Sequence, residues 1–165
     1  ITNDTQTTGD DDWTVHVVIE CFEGCTLTQG YWKTHNDSHW GGAPTDENWM
    51  NIGDWDNDGI MEGEKENLIP GLTWFAAFTE PVKGRVWYQL AHQWMAAYLN
   101  MQNDASTTPE VDAALTNGWT WLSSHSPSDK LKGNDAAAAR NMAGILGSYN
   151  EGLIGPGHCD EQNPV

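Results

Sequence analysis

The sequence predicts a mainly α protein with a small β part: an N-terminal strand and a long aromatic loop region packed on a three-helix core. Three observations carry this. Helical periodicity with capping signals runs through three stretches beyond residue 84. Strict alternation is confined to residues 13–21. Between them, over residues 24–71, Gly, Asn, Asp and Pro recur among aromatics with no sustained period.

Residues 1–12, ITNDTQTTGDDD, are polar and aperiodic, and read as a flexible tail or linker. Residues 13–165 read as a single extracellular domain, and 165 residues suffice for one real core. In WTVHVVIEC, Trp13, Val15, Val17, Ile19 and Cys21 share one strand face. A lone strand is not stable. Its partners are expected either within the chain, at Leu27–Trp32 and Leu72–Phe78, or in another chain. In GRVWYQLAHQWMAAYLNMQ the apolar residues circle most of the helix, which predicts burial on more than one side. The next helix opens at TTPEVDAAL, with Thr108 as N-cap, Pro109 in the first turn and Glu110 suiting the dipole, and runs to about Ser124. A third starts near Asn134–Asp135 and stops at Gly152.

A formal net charge of −17 argues against a nucleic-acid partner, which needs a basic face. No apolar run approaches the roughly 20 residues of a membrane span. The chain opens on Ile1, as expected where a targeting segment has been removed or where a longer chain continues upstream.

DWDNDGIMEGEKE, from Asp54, carries a calcium-loop pattern. Asp54, Asp56 and Asp58 take the first, third and fifth positions, and Gly59 the sharp turn. Ile60 would offer its carbonyl, and Glu62 follows at the ninth position. Lys65 stands where a bidentate Glu closes such loops, with Glu64 and Glu66 beside it. Three carboxylates so close favour a cation, and Ca2+ is the expected cofactor, in a structural role. The bland reading is an acidic turn without metal.

Three cysteines allow one disulfide and a leftover thiol, or a metal site. Zinc on Cys21, Cys25, His158 and Cys159 is one reading, with awkward adjacent ligands. A Cys25–Cys159 disulfide is the commoner one, with Cys21 in place of Cys25 as its alternative. His35, His39, His92 and His158 are candidates for a metal or catalytic site, but a lone buried histidine is more often a hydrogen-bonded core residue. Ser123, Ser124 and His125 are adjacent, which is not a triad. Neither HExxH, GxSxG nor a glycine-rich phosphate loop occurs. Trp32, Trp40, Trp49, Trp55 and Trp74 lie in loop-rich sequence. They are either stacking platforms for a glycan or the core beneath the loops.

Three blocks, GCTLTQGYWKTH (24–35), LAHQWMAAYLN (90–100) and YNEGLIGPGHC (149–159), resemble the signature blocks of a family of secreted bacterial modules with the pattern CTxTQGYWKxH, LAHQxxAxxLN and GPGHC. The matching positions are Cys25, Tyr31, Trp32, Lys33, His35, His92, Gln93, Asn100, His158 and Cys159. The resemblance implies export, oxidised cysteines and no catalytic role to transfer. It implies a knot in which Cys25 and Cys159 pin the outer blocks, Tyr31 and Trp32 pack on the His92 helix, and Lys33 and His35 reach the loop at Gly155–His158. Cys21 and the DxDxDG stretch lie outside the pattern.

The expected function is therefore non-enzymatic: an extracellular, cell-surface structural or adhesive protein stabilised by calcium and a disulfide. Its sharper form is a filament subunit that self-associates head-to-tail, with Trp13, Val15, Val17 and Ile19 as the subunit contact. The alternatives are a secreted glycan-binding module and a metal-dependent enzyme using His35, His92 and His158.

Overall fold

The computed structural model describes residues 23–35, 46–51 and 72–159. Five α-helices occur there: α1 (Gln29–Thr34), α2 (Trp74–Thr79), α3 (Val86–Gln102), α4 (Pro109–Ser124) and α5 (Gly133–Asn150). A 3-10 turn covers Glu47–Asn51. Helix α3 is the axis. Every other described element touches it, and its broadest contact is with α5.

The reason lies in its sequence. Trp87, Leu90, Ala91, Trp94, Met95, Ala96, Ala97 and Leu99 are all buried, so apolar side chains leave it in nearly every direction. Helix α4 presents Val111, Ala114, Leu115 and Leu122 to it, and α5 presents Ala136, Ala139, Ala143 and Leu146. The small side chains of α5 let its backbone approach closely.

Local chemistry sets the helix ends. Thr108 caps α4 by accepting the Val111 N–H at 3.3 Å, with Pro109 behind it. Helix α5 ends at Gly152, whose φ of +71° takes the left-handed position. The Leu153 N–H bonds the Ser148 carbonyl at 2.8 Å and the Gly152 N–H bonds that of Tyr149 at 2.9 Å. A side chain at Gly152 would also collide with the backbone of His158. Helix α3 ends in the same way, with Asp104 at φ +61° and the Ala105 N–H on the Asn100 carbonyl at 3.0 Å.

The expected small β part is overturned. Among the described residues there is no strand, and Thr26 and His158 form an isolated parallel bridge. Leu27–Trp32 and Leu72–Phe78, offered as partners for a sheet, run into α1 and α2. The physical reason is two threonine caps. Thr28 accepts the Tyr31 N–H at 3.3 Å, and Thr73 accepts that of Ala76 at 3.1 Å. Each cap starts a helix that a short apolar run could not announce by its period. Pro81 then ends α2, because the residue before a proline is driven to extended backbone, as Glu80 is at ψ 129°. The N-terminal strand over residues 13–21, with Trp13, Val15, Val17, Ile19 and Cys21, lies outside the described residues, as does the 1–12 segment.

Candidate functional site: a disulfide-closed polar hub

At the C-terminal end of α3 the first and last described segments lie side by side. The Thr26 N–H donates to the Gly157 carbonyl at 2.8 Å, and the Cys159 N–H to the Thr26 carbonyl at 3.1 Å. His158 sits between those two bonds. A disulfide joins Cys25 to Cys159, with Cα atoms 4.8 Å apart. Upstream, Glu23 and Ser106 exchange backbone and hydroxyl hydrogen bonds at 2.8–3.0 Å. Gly24 permits this approach, since a Cβ there would run into the carbonyl of Asp104.

Asn100 is the centre of the hub. It is fully buried. Its Oδ1 accepts from the Leu27 N–H at 2.8 Å and the Trp32 Nε1–H at 3.0 Å. Its Nδ2 donates to the Leu27 carbonyl at 2.9 Å and to Asn150 Oδ1 at 3.0 Å. All four hydrogen-bonding places of the amide are thus filled. Asn150 continues the chain, its Nδ2 donating to the Gln93 carbonyl at 3.0 Å and to Gln93 Oε1 at 2.9 Å. Buried Tyr149 gives its hydroxyl to the Ala105 carbonyl at 3.1 Å. Burial, with Asp112 nearby, raises its pKa and keeps it a neutral donor.

The histidines of the motif also serve the fold. His92 donates Nε2–H to the Ala77 carbonyl at 2.8 Å, in the last turn of α2, and packs against Phe78. Burial lowers its pKa, and the charges of Lys33 and Arg85 lower it further against the opposing pull of the Ala77 bond. His35 donates Nδ1–H to the Tyr31 carbonyl at 2.8 Å and stacks on the Tyr31 ring at 3.9 Å. The Tyr31 hydroxyl bonds Asp46 at 2.9 Å. Burial, that bond and the Asp46 charge push its pKa up to about 12.

The same clamp recurs at the end of α4. His125 donates Nδ1–H to the Trp121 carbonyl at 2.8 Å and stacks on that indole at 4.1 Å. In both places an aromatic is followed by Ser or Thr three residues on and by His four residues on. Each histidine thereby adds a ring N–H donor to a carbonyl of the last helical turn, which also accepts from the neighbouring Thr34 or Ser124 hydroxyl. This accounts for the adjacency of Ser124 and His125: they end a helix.

Of the predicted site residues, the structure brings together Cys25, Cys159, Trp32 and His158 at the hub, with Tyr31, Lys33 and His35 on the short helix beside it. His92 lies two turns further along α3. In the terminal loop the Gly157 carbonyl accepts from the Thr26 N–H and hydroxyl. The sulfurs of Cys25 and Cys159 are joined to each other, which removes them as zinc ligands. Among the described residues no three His, Cys, Asp or Glu side chains gather to hold a metal. The calcium candidates Asp54, Asp56, Asp58, Ile60 and Glu62 lie outside the described residues, as do Cys21 and His39. Trp32, Trp49 and Trp74 are core residues with at most 1% exposure, so no sugar can stack on them. Trp40 and Trp55 lie outside the described residues.

Sequence reasoning gave Asn100, Gln93 and Asn150 no role. The available signal was a pair of asparagines ending helices whose other inward residues are apolar. A buried amide must be matched by specific partners.

The described residues define a class, a helical core closed by a disulfide across an asparagine-centred network. No family model matches the chain, and neither a curated protein nor a solved structure does.

Proposed function

We propose that this chain is a non-enzymatic extracellular structural or adhesive protein, whose three sequence blocks close the domain rather than act on a substrate. One observation carries the reading: key polar groups of the blocks are spent on partners within the protein. Asn100 makes four hydrogen bonds within the protein, Cys25 and Cys159 are joined, and the ring nitrogens that face the backbone in His35 and His92 are committed to carbonyls. A nucleophile or general base needs a side chain free to exchange a proton with a ligand. The disulfide is compatible with an oxidising compartment. No helix among the described residues is long and apolar enough to cross a membrane.

In this reading a calcium ion on Asp54, Asp56, Asp58, the Ile60 carbonyl and Glu62 stiffens the acidic segment between the 3-10 turn and α2. The chain self-associates head-to-tail at the cell surface, with residues 13–19 contributing to the contact. Elemental mass spectrometry of protein dialysed against calcium tests the metal assignment. One calcium per chain without a transition metal is expected. Stoichiometric zinc or iron overturns the non-enzymatic reading. Sedimentation of a chain lacking residues 1–20 tests the contact: it should remain monomeric where the full chain associates.

A further inference from the structure

The chain has seven Lys and Arg residues against 24 acids, yet its cations are not spread evenly. Helices α3 and α5 run together and α4 runs back, so the bundle has two ends. The end holding the hub comprises residues 23–28, 99–113 and 147–159. These carry Glu23, Asp104, Glu110, Asp112 and Glu151 and neither Lys nor Arg, with Lys33 on the short helix beside them. The opposite end, residues 80–87 and 122–135, carries Lys83, Arg85, Lys130 and Lys132 against Glu80, Asp129 and Asp135.

Those cations surround a cleft. Lys83, Arg85 and Lys130 line a hollow of about 350 Å³ between the start of α3 and the α4–α5 connection, with Val86, Pro127 and Leu131 as its apolar surface. Two of the three acids at that end have partners. Glu80 pairs with Arg85 at 2.9 Å, and Asp129 accepts the Ser126 N–H at 2.7 Å. Lys83, Lys130 and Lys132 are exposed and make no ion pair with the described residues. Three exposed ammonium groups at one pole of so acidic a molecule raise the local concentration of any carboxylate-rich surface. Arg85 heads α3 without a side-chain cap, so the positive end of that helix adds to the same field.

We propose that this basic cleft docks the acidic hub end of a second copy of the chain, giving a pole-to-pole, head-to-tail contact. The argument is charge complementarity. The two poles are opposite in sign, lie at opposite ends of α3, and belong to every copy. A contact between unlike surfaces leaves each copy with one free pole of each kind, which continues the assembly. Among the described residues two hub ends meet with like charge, so the cleft also fixes orientation. The proposal rests on the self-association put forward above and names its surface.

The test is sedimentation velocity of the full chain and of charge-reversed variants at 20 and 500 mM NaCl. Lys83→Glu/Lys130→Glu changes exposed side chains only, and a matching thermal melt verifies that the fold is kept. The intact chain is expected to associate at low salt and to weaken at high salt, where the Debye length falls to a few ångströms. K83E/K130E should weaken association at least tenfold. Mixing it with Glu110→Lys/Glu151→Lys should restore association that neither variant shows alone. Association that K83E/K130E leaves unchanged, but that loss of residues 1–20 abolishes, overturns the pole contact and spares the self-association reading. A chain that is monomeric under all these conditions overturns both. An acidic polysaccharide that binds the cleft while copies of the chain do not overturns the proposed partner.

Discussion

The two ends of α3 are held by different physics. At the hub end, residues 23–32, 93–106 and 149–159 meet through a disulfide, a saturated asparagine and a set of backbone hydrogen bonds. At the cleft end, Trp87 donates its indole N–H to the carbonyls of Leu122 at 3.2 Å and His125 at 3.0 Å, and His125 clamps Trp121. The hub joins segments 134 residues apart in the chain, counting between the bonded cysteines. The cleft end joins segments 35 to 38 residues apart. Closing the longer loop costs more chain entropy, so the hub needs the covalent bond and the denser polar network. The lesson is that the motif-rich end is where the chain must be forced together, while the aromatic end closes on packing and two caps.

The largest expected effect comes from cutting the hub's covalent bond. Cys159→Ser, or reduction, should lower unfolding stability by about 3–5 kcal/mol, the loop-entropy scale for so long a closure. Urea melts with and without reductant measure it, and a loss below about 1 kcal/mol would erase the contrast between the ends. Next is Asn100→Leu, which strands the Leu27 N–H and carbonyl, the Trp32 indole N–H and Asn150 Oδ1. A loss of about 3–4 kcal/mol in the same melts is expected, because buried groups without partners keep their desolvation cost. At the cleft end, Trp87→Phe removes one shared N–H donor and keeps an aromatic ring, so about 1–2 kcal/mol should be lost. If Trp87→Phe costs as much as Asn100→Leu, the ends are equivalent and the comparison fails.

The two histidine clamps sharpen it further. They have the same geometry on different helices, so His35→Ala and His125→Ala should each cost about 1 kcal/mol. A much larger loss at His35, together with loss of a binding or catalytic activity in a variant that stays folded, would instead mark the motif as a working site. The smallest effect concerns pH. Burial holds the folded His92 pKa below its ordinary value of 6.5. The unfolded chain therefore binds the proton more readily between those two values. The stability tied to neutral His92 is full above pH 6.5 and declines as pH falls from 6.5 toward the lowered folded value. Unfolding at pH 7.5 and 5.0 should show this loss, and His92→Gln, which keeps a donor for the Ala77 carbonyl, should shrink it.

Much of the helical core is legible without coordinates. Val86–Gln102, Pro109–Ser124 and Gly133–Asn150 lie within two residues of the boundaries that apolar period, Thr108, Pro109 and Gly152 mark. The disulfide between Cys25 and Cys159 was one of the pairings that three cysteines allowed. The small β part was misread, because an apolar run of six or seven residues has too few turns to separate period 2 from period 3.6. At both such runs the deciding signal was a single threonine before the aromatic. Within the hub, the aromatics and cysteines stood out by residue type. Thr26, Ser106 and Asn150 did not, since common polar residues differ from solvent-exposed ones only in what surrounds them.

The sequence by itself determined the three long helices, where they stop and that the chain is strongly acidic, because caps, period and charge are local properties. Only the tertiary structure decided that Asn100 fills all four of its hydrogen-bonding places, that Thr26 runs beside His158, and that three lysines with no ion pair among the described residues share one end of the bundle. Those facts depend on which distant residues meet, and the meeting is set by the packing of α4 and α5 on α3. No local period records that choice. It follows from the whole set of apolar faces being buried at once.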